Sequence, residues 1–289
     1  MDEAQLRKTL MELSGQATGE WFTALDERKR RELEFHNVSK QTREMVAELP
    51  HETYARLHGN KKYYSVARAS VEYVRAWLER WAPGAVFLDY ACGNGDQTIR
   101  TAKLGSALAI GLDISDVSVA NGRRQAEAEG VADRCVFVQG DCEHTGLPDA
   151  CVDVILCCGM LHHLDLSYAF PEMRRILKPG GRVLALEALG YNPAIALYRR
   201  LTPAMRTDWE KDHILSLRDL TFAGRFFEVG EIRYWHLTSL LATLVRRRAR
   251  AFEATLRALE ALDSLLLLIP GVRLMGWQFT FELIKRKGD

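Results

Sequence analysis

The alternation of apolar and polar positions changes character once along the chain, near Pro83-Gly84. Before that point, residues 1–82 show helical periodicity with few breakers and no convincing strand run, which predicts an N-terminal helical extension or cap. In its last segment Ala67, Val71, Val74, Leu78 and Trp81 recur at steps of four and three, lining one helix face for docking against the next domain. Pro83-Gly84 stops that helix. From residue 83 to 289 short apolar runs alternate with helical ones. The runs 85–89, 108–113, 135–141, 152–158 and 182–188 predict five strands, and their nearly continuous apolar character suits a parallel sheet covered on both faces. Segments 96–103, 115–129 and 165–177 are long enough for crossover helices, with a short or irregular connection over 142–150. Lys178-Pro179-Gly180-Gly181 reads as a turn that ends a helix before the fifth strand. Two further strands are expected at about 228–236 and 276–285. The excursions that flank the first of these, about 189–227 and 237–275, are too long for simple turns and predict helical lid insertions. The fold class is therefore α/β, a doubly wound seven-stranded, mostly parallel sheet with helical additions.

The strongest local signal is VFLDYACGNGDQT at 86–98. A strand ending in Asp89 passes through Gly93 and Gly95 into a helix, which brings backbone N–H groups close to a nucleotide-like ligand. The nicotinamide fingerprint is only partly met, because its third small residue would be Thr98. A carboxylate beside the glycine turn repels a pyrophosphate and pairs with a cationic amino-acid portion of a ligand. That charge argument selects S-adenosylmethionine (SAM), which has an ammonium, a sulfonium and no phosphate, over a nicotinamide dinucleotide. The second strand ends in Asp113, placed to accept from ribose hydroxyls, and the third in Asp141, placed to accept from the adenine amine beside Cys142. Three successive strand ends thus carry an acid at one edge of the sheet.

With these residues the sequence resembles the class I SAM-dependent methyltransferases. DYACGNG (89–95) matches the glycine-rich motif, Asp113 the ribose-binding acid and Asp141 the acid after the third strand. VDVILCCGMLHHL (152–164) matches the fourth strand and its loop, and LKPGG (177–181) the turn before the fifth. The resemblance implies a seven-stranded sheet whose last strand, GWQFTFELIK, runs antiparallel. It implies SAM as cofactor, S-adenosylhomocysteine (SAH) as product, and cofactor contacts at Asp89, Ala91, Gly93, Gly95, Asp113, Ile114, Asp141, Cys142 and Cys158. Tyr63-Tyr64 and Phe35-His36-Asn37 are candidates to cover the cofactor from the extension. Residues 1–60 and 189–275 match no core tied to one substrate.

Methyl transfer from a sulfonium needs collinear reactants, exclusion of water and, for many acceptors, a base. The cation supplies its own leaving group, so no metal is called for. Gly159 allows close backbone approach, and Met160 or Leu161 could pack on the adenine. His162 and His163 are candidate bases near neutrality, against a packing role at the next helix start. Glu187 ends the fifth strand and either meets the acceptor or pairs with Arg199, Arg200 or Arg206. Asn192-Pro193 suits a helix cap. His213, in the polar cluster Trp209–His213 of the first lid, is the remaining candidate for contact with substrate.

Composition narrows the acceptor. With 39 basic against 38 acidic side chains nothing holds a polyanion, and the basic run Arg246, Arg247, Arg248 and Arg250 lacks interleaved aromatics, so a nucleic-acid partner is not expected. Large lids and an apolar stripe from Leu241 to Leu265 favour a largely apolar small organic acceptor, methylated at oxygen, nitrogen or carbon. The same stripe would also serve a homodimer seam. A protein or RNA methyltransferase and a non-catalytic SAM-binding interaction protein are the alternatives. The six cysteines read as reduced, buried small hydrophobes: no CxxC pair exists, and Cys157 and Cys158 point to opposite faces of a strand. The N-terminus lacks the apolar core of a signal peptide and no apolar run reaches 18 residues, so a cytoplasmic location is the expectation.

Overall fold

The computed structural model describes residues 3–16, 19–39 and 61–288. Seven strands form one sheet in the order β3-β2-β1-β4-β5-β7-β6. The strands are β1 (Val86–Tyr90), β2 (Leu108–Asp113), β3 (Cys135–Gln139), β4 (Val152–Cys158), β5 (Leu177–Ala188), β6 (Glu228–Trp235) and β7 (Gln278–Ile284). The first five pair in parallel, and β7 runs antiparallel between β5 and β6, as the resemblance implies. The apolar runs are continuous because both faces are covered. One cluster joins Leu88, Ile110, Ile155 and Phe281, and the opposite face packs Phe87, Ala109, Leu156 and Leu184 with Trp77 and Leu78. No helix among the described residues is long and apolar enough to cross a membrane.

The extension holds α1 (Glu3–Gln16), α2 (Gly19–Ala24), α3 (Glu27–Ser39), α4 (Lys61–Tyr64) and α5 (Arg68–Trp81). The buried face of α5 is Ser70, Val74, Trp77 and Leu78, rotated from the expected row, with Val71 and Trp81 only half-buried. The rotation follows from Trp77, whose indole N–H donates to Glu282 on β7. Helices α6 (Asp96–Lys103), α7 (Asp116–Ala128) and α8 (Leu166–Ile176) are the expected crossovers. The 142–150 connection contains no helix; Asp141 and His144 make an isolated antiparallel bridge there. Lys178–Gly181 is not a separate turn before β5: it lies inside the strand, where the register with β4 jumps from Val152↔Leu177 to Val154↔Arg182. A bulge absorbs the extra residues, and Gly180 takes φ +80° there.

The first lid carries α9 (Pro193–Leu201), α10 (Asp208–Asp212) and α11 (Leu217–Ala223), and Asn192 caps α9 with Pro193 in its first turn. The second is dominated by α12 (Ala249–Leu266), which buries Leu256 with Val66 and Ala242. Its expected apolar stripe is split, because Leu241, Leu244, Leu262 and Leu265 face outward.

Candidate functional site

The chain reverses its direction of winding between β1 and β4, and in such sheets ligands bind outside the carboxyl ends of the strands at that point. Ala91, Gly93 and Gly95, in the loop after β1, all have positive φ (60°, 54° and 85°), curling the backbone before α6. A Cβ on Gly95 would lie 2.6 Å from the Phe137 ring, so this position needs glycine for space as well as conformation. The same ring fills the room left by Gly111 on β2 and Gly122 on α7.

Asp113 and Asp89 fix this loop, and Asp141 stands at the next strand end. Asp113 accepts from Gly93 N–H at 2.8 Å and Ser115 N–H at 2.9 Å, tying the glycine turn to the end of β2. Asp89 accepts from Thr98 N–H at 3.1 Å and the Thr98 hydroxyl at 2.9 Å. Burial pushes its carboxyl up to about 7 against the pull of those bonds, and the charges of Asp113 and Asp96 add to the rise. Asp141 accepts from Glu143 N–H at 2.8 Å. Each carboxylate oxygen retains acceptor capacity beyond one bond. A backbone cradle edged by three carboxylates fits an adenosine compound carrying an ammonium and a diol, and offers a diphosphate only repulsion. Ile114 gives its carbonyl to Gln139. Cys142 is buried, and its carbonyl accepts from the Tyr90 hydroxyl.

β4 is buried until its last residue, Cys158, which is exposed, as is Gly159 at φ +63° with open space where a Cβ would point. This strand end opens to solvent at the carboxyl edge of the sheet, where such folds bind ligands. Met160 and Leu161 are buried in the core cluster with Tyr90 and Cys142.

Beside this strand end lies a second group of side chains. Glu187 at the end of β5 is fully buried. Its Oε1 accepts from Met160 N–H at 2.8 Å and Leu161 N–H at 2.7 Å, and its Oε2 lies 2.8 Å from His162 Nδ1. The arginines weighed as its partners go elsewhere: Arg199 and Arg206 pair with Glu210. His163 stands 4.3 Å from the His162 ring, centroid to centroid, with Nδ1 3.0 Å from Glu32 of α3. Burial pulls the His163 imidazole down, but the Glu32 carboxylate more than reverses this and its pKa is raised.

Sequence reasoning named Phe35-His36-Asn37 of α3 as a cover for the cofactor but missed the charged face of that helix. Lys29 reaches Asp141 at 2.6 Å and Glu143 at 2.9 Å, Arg28 reaches Glu143 at 2.6 Å and the His163 carbonyl at 2.9 Å, and Asn37 donates to Asp116 at 2.8 Å. The same helix meets the first lid, where Thr207 donates to Glu32 and Arg28 lies over the Trp209 ring at 4.7 Å. Two expected residues are not brought to this group by the contacts they make. His213 is exposed, stacked on Trp209 at 3.6 Å and bonded to the Trp209 carbonyl. Tyr64 is exposed with its ring against Trp277. Five cysteines are buried and all six are free thiols.

Residues 88–185 match a family model described as a methyltransferase domain. The chain is 36% identical over 101 residues to the 27-O-demethylrifamycin SV methyltransferase of Amycolatopsis mediterranei, covering 35% of this chain and 37% of that protein. It is 34% identical over 125 residues to the ubiquinone/menaquinone biosynthesis C-methyltransferase of Geobacter sulfurreducens, covering 42% and 48%. The chain thus spans less than half the length of these relatives. The geranyl diphosphate C-methyltransferase structure from Streptomyces coelicolor superposes with a TM-score of 0.59 at 16% identity, over 90% of this chain and 98% of that one, a likeness of fold. The glycine turn, the acid-edged cradle, the reversed seventh strand and the domain match agree: residues 88–185 match a methyltransferase domain, within a seven-stranded sheet of the class I SAM-dependent methyltransferase fold.

Proposed function

We propose that this protein methylates an oxygen or carbon of a largely apolar small organic acceptor, with His162 as the base that takes the acceptor's proton. The observation that carries the reading is the buried Glu187–His162 pair set beside the open Cys158–Gly159 strand end. A carboxylate on Nδ1 makes that nitrogen the donor and leaves Nε2 with its lone pair, the form a general base requires. Glu187 is spent on its own chain and acts as a positioning residue, fixing the imidazole's tautomer and stabilising the imidazolium.

Bound SAM supplies a methyl group on a cationic sulfur that leaves as the neutral thioether SAH. Asp89, Asp113 and Asp141, with the backbone of Ala91 to Gly95, would hold it. The lids exclude water, and α9 supplies apolar wall: Ile195 and Ala196 line a cavity of 340 Å3 with Leu189 and Ile214, and Arg199, Arg206 and Lys211 stand around it. The relatives' printed names, a demethylrifamycin and a quinone-pathway C-methyltransferase, support oxygen or carbon acceptors of this type.

The test is turnover of isotopically labelled SAM with a panel of apolar phenols and enolisable carbonyl compounds. Labelled product and SAH are expected. His162→Gln should lower kcat about a hundredfold or more while SAH affinity stays within about twofold. Unchanged turnover removes the base, and a chain that takes up neither SAM nor SAH removes the whole reading.

A further inference from the structure

Buried polar atoms in native proteins have partners, and one without a hydrogen bond points to a water or an ion. Glu32, 5% exposed, comes close to that case: among the described residues its Oε2 takes no backbone N–H or hydroxyl and meets only the ring nitrogens of His163 and His36. His163 Nδ1 lies 3.0 Å from it, and His36 Nε2, one helical turn along α3, is 3.6 Å from the same oxygen. All three ligand atoms lie within 4.8 Å of one another. Four-coordinate zinc with bonds of about 2.0–2.1 Å has ligand-to-ligand edges of roughly 3.3 Å, which these separations bracket. The other Glu32 oxygen accepts from the Thr207 hydroxyl, the outer-shell bond that aims a metal-binding carboxylate.

We propose that Glu32, His36 and His163 form a binding site for a divalent transition-metal ion. Two imidazole nitrogens and one carboxylate oxygen are the donor set that zinc(II) and iron(II) take, and magnesium or calcium would want oxygens in place of the rings. The expectation that no metal is called for came from the leaving group alone and did not weigh a helix from the extension meeting the loop after β4. An ion held here joins α3 to the His162–His163 turn and keeps further coordination positions for an oxygen of the acceptor beside His162. That use rests on the methyl-transfer reading; the site itself does not.

The experiment is titration of the chelator-stripped full chain with Co2+, followed by its visible spectrum, and with Zn2+ by calorimetry, with SAH affinity measured on the same samples. One equivalent of each metal is expected to bind. His36→Gln and His163→Gln should each weaken binding at least tenfold, and Thr207→Ala about tenfold. His213→Gln, outside the cluster, should bind as wild type. A wild-type chain that binds no stoichiometric Co2+ or Zn2+ overturns the proposal whatever the variants do, and so does binding that survives in the His36→Gln/His163→Gln double variant. SAH binding without metal uptake sinks the metal site alone; metal uptake without SAH binding sinks the methyl-transfer reading alone.

Discussion

The ends of β1, β2 and β3 and the ends of β4 and β5 are adjacent stretches of one sheet edge, yet they are built differently. In the first, Asp113 is restrained by Gly93 and Ser115 and Asp89 by Thr98, all from the first two strand ends, and only Asp141 adds a distant partner, Lys29, to its local bond from Glu143. In the second, His162 is held by Glu187, and His163 meets Glu32, which is itself held by Thr207. Those groups come from far apart in the chain. On the proposed reading, the cofactor would be met largely by short segments at strand ends and the acceptor by groups that tertiary docking brings together.

Lys29→Met is the sharpest way to break the contrast, because it attacks the place where the extension reaches into the first stretch. It leaves the buried Asp141 carboxylate without its cation and Glu143 with Arg28 alone. A loss of about 3 kcal/mol is expected for breaking a buried pair. Hydrogen exchange should show it in α3 while the β-sheet stays protected; uniform deprotection would mean that the two stretches fold as one. Asp113→Ala tests the local half. It removes two charge-assisted bonds that shape the glycine turn, and SAH affinity should fall by about 2 kcal/mol, roughly thirtyfold in Kd. An unchanged calorimetric Kd would remove Asp113 from the cofactor site.

The smallest effect is a pH dependence that refines the same half. Asp89 has a raised pKa, about 7 against an ordinary 3.8. Its contribution to stability is full below the ordinary value and is lost as pH rises through 7, where the buried carboxyl must ionise. A ligand ammonium favours the ionised form, so SAH binding should release a proton and tighten about tenfold between about pH 6 and pH 8. Calorimetry in buffers of different ionisation enthalpy reads the proton directly. Asp89→Asn should abolish that slope and stabilise the ligand-free chain at the alkaline end.

The strands were legible because their apolar runs are bounded by acids and glycines, and a parallel sheet buried on both faces demands that pattern. The Lys178–Gly181 segment misled because a Pro-Gly-Gly run reads as a turn, whereas β4 and β5 close around it as a bulge. α3 was legible at Phe35-His36-Asn37 and opaque along its charged face, for another reason. ERKRRELEFHNVS reads as a solvated helix, yet Arg28, Glu32 and His36 recur every fourth residue, and with Lys29 they form the polar face that docks. A four-residue polar period was the available signal, and apolar patterning alone gives it no weight. Glu187 was visible as a strand-end acid, but its partner was not. Arginines twelve or more residues onward were weighed, whereas the loop after β4 supplies the histidine because β4 and β5 are neighbours in the sheet.

Because α3 rests on Asp141 and Ser115 at one side and on Thr207 and Trp209 at the other, the doorways to both halves of the cleft share a single bolt. Drawing it for a departing nucleoside also loosens the grip on whatever the lid encloses. The bolt carries many ion pairs and hydrogen bonds beside the buried Leu33, so added electrolyte should ease it most at its exposed Arg31–Asp208 end.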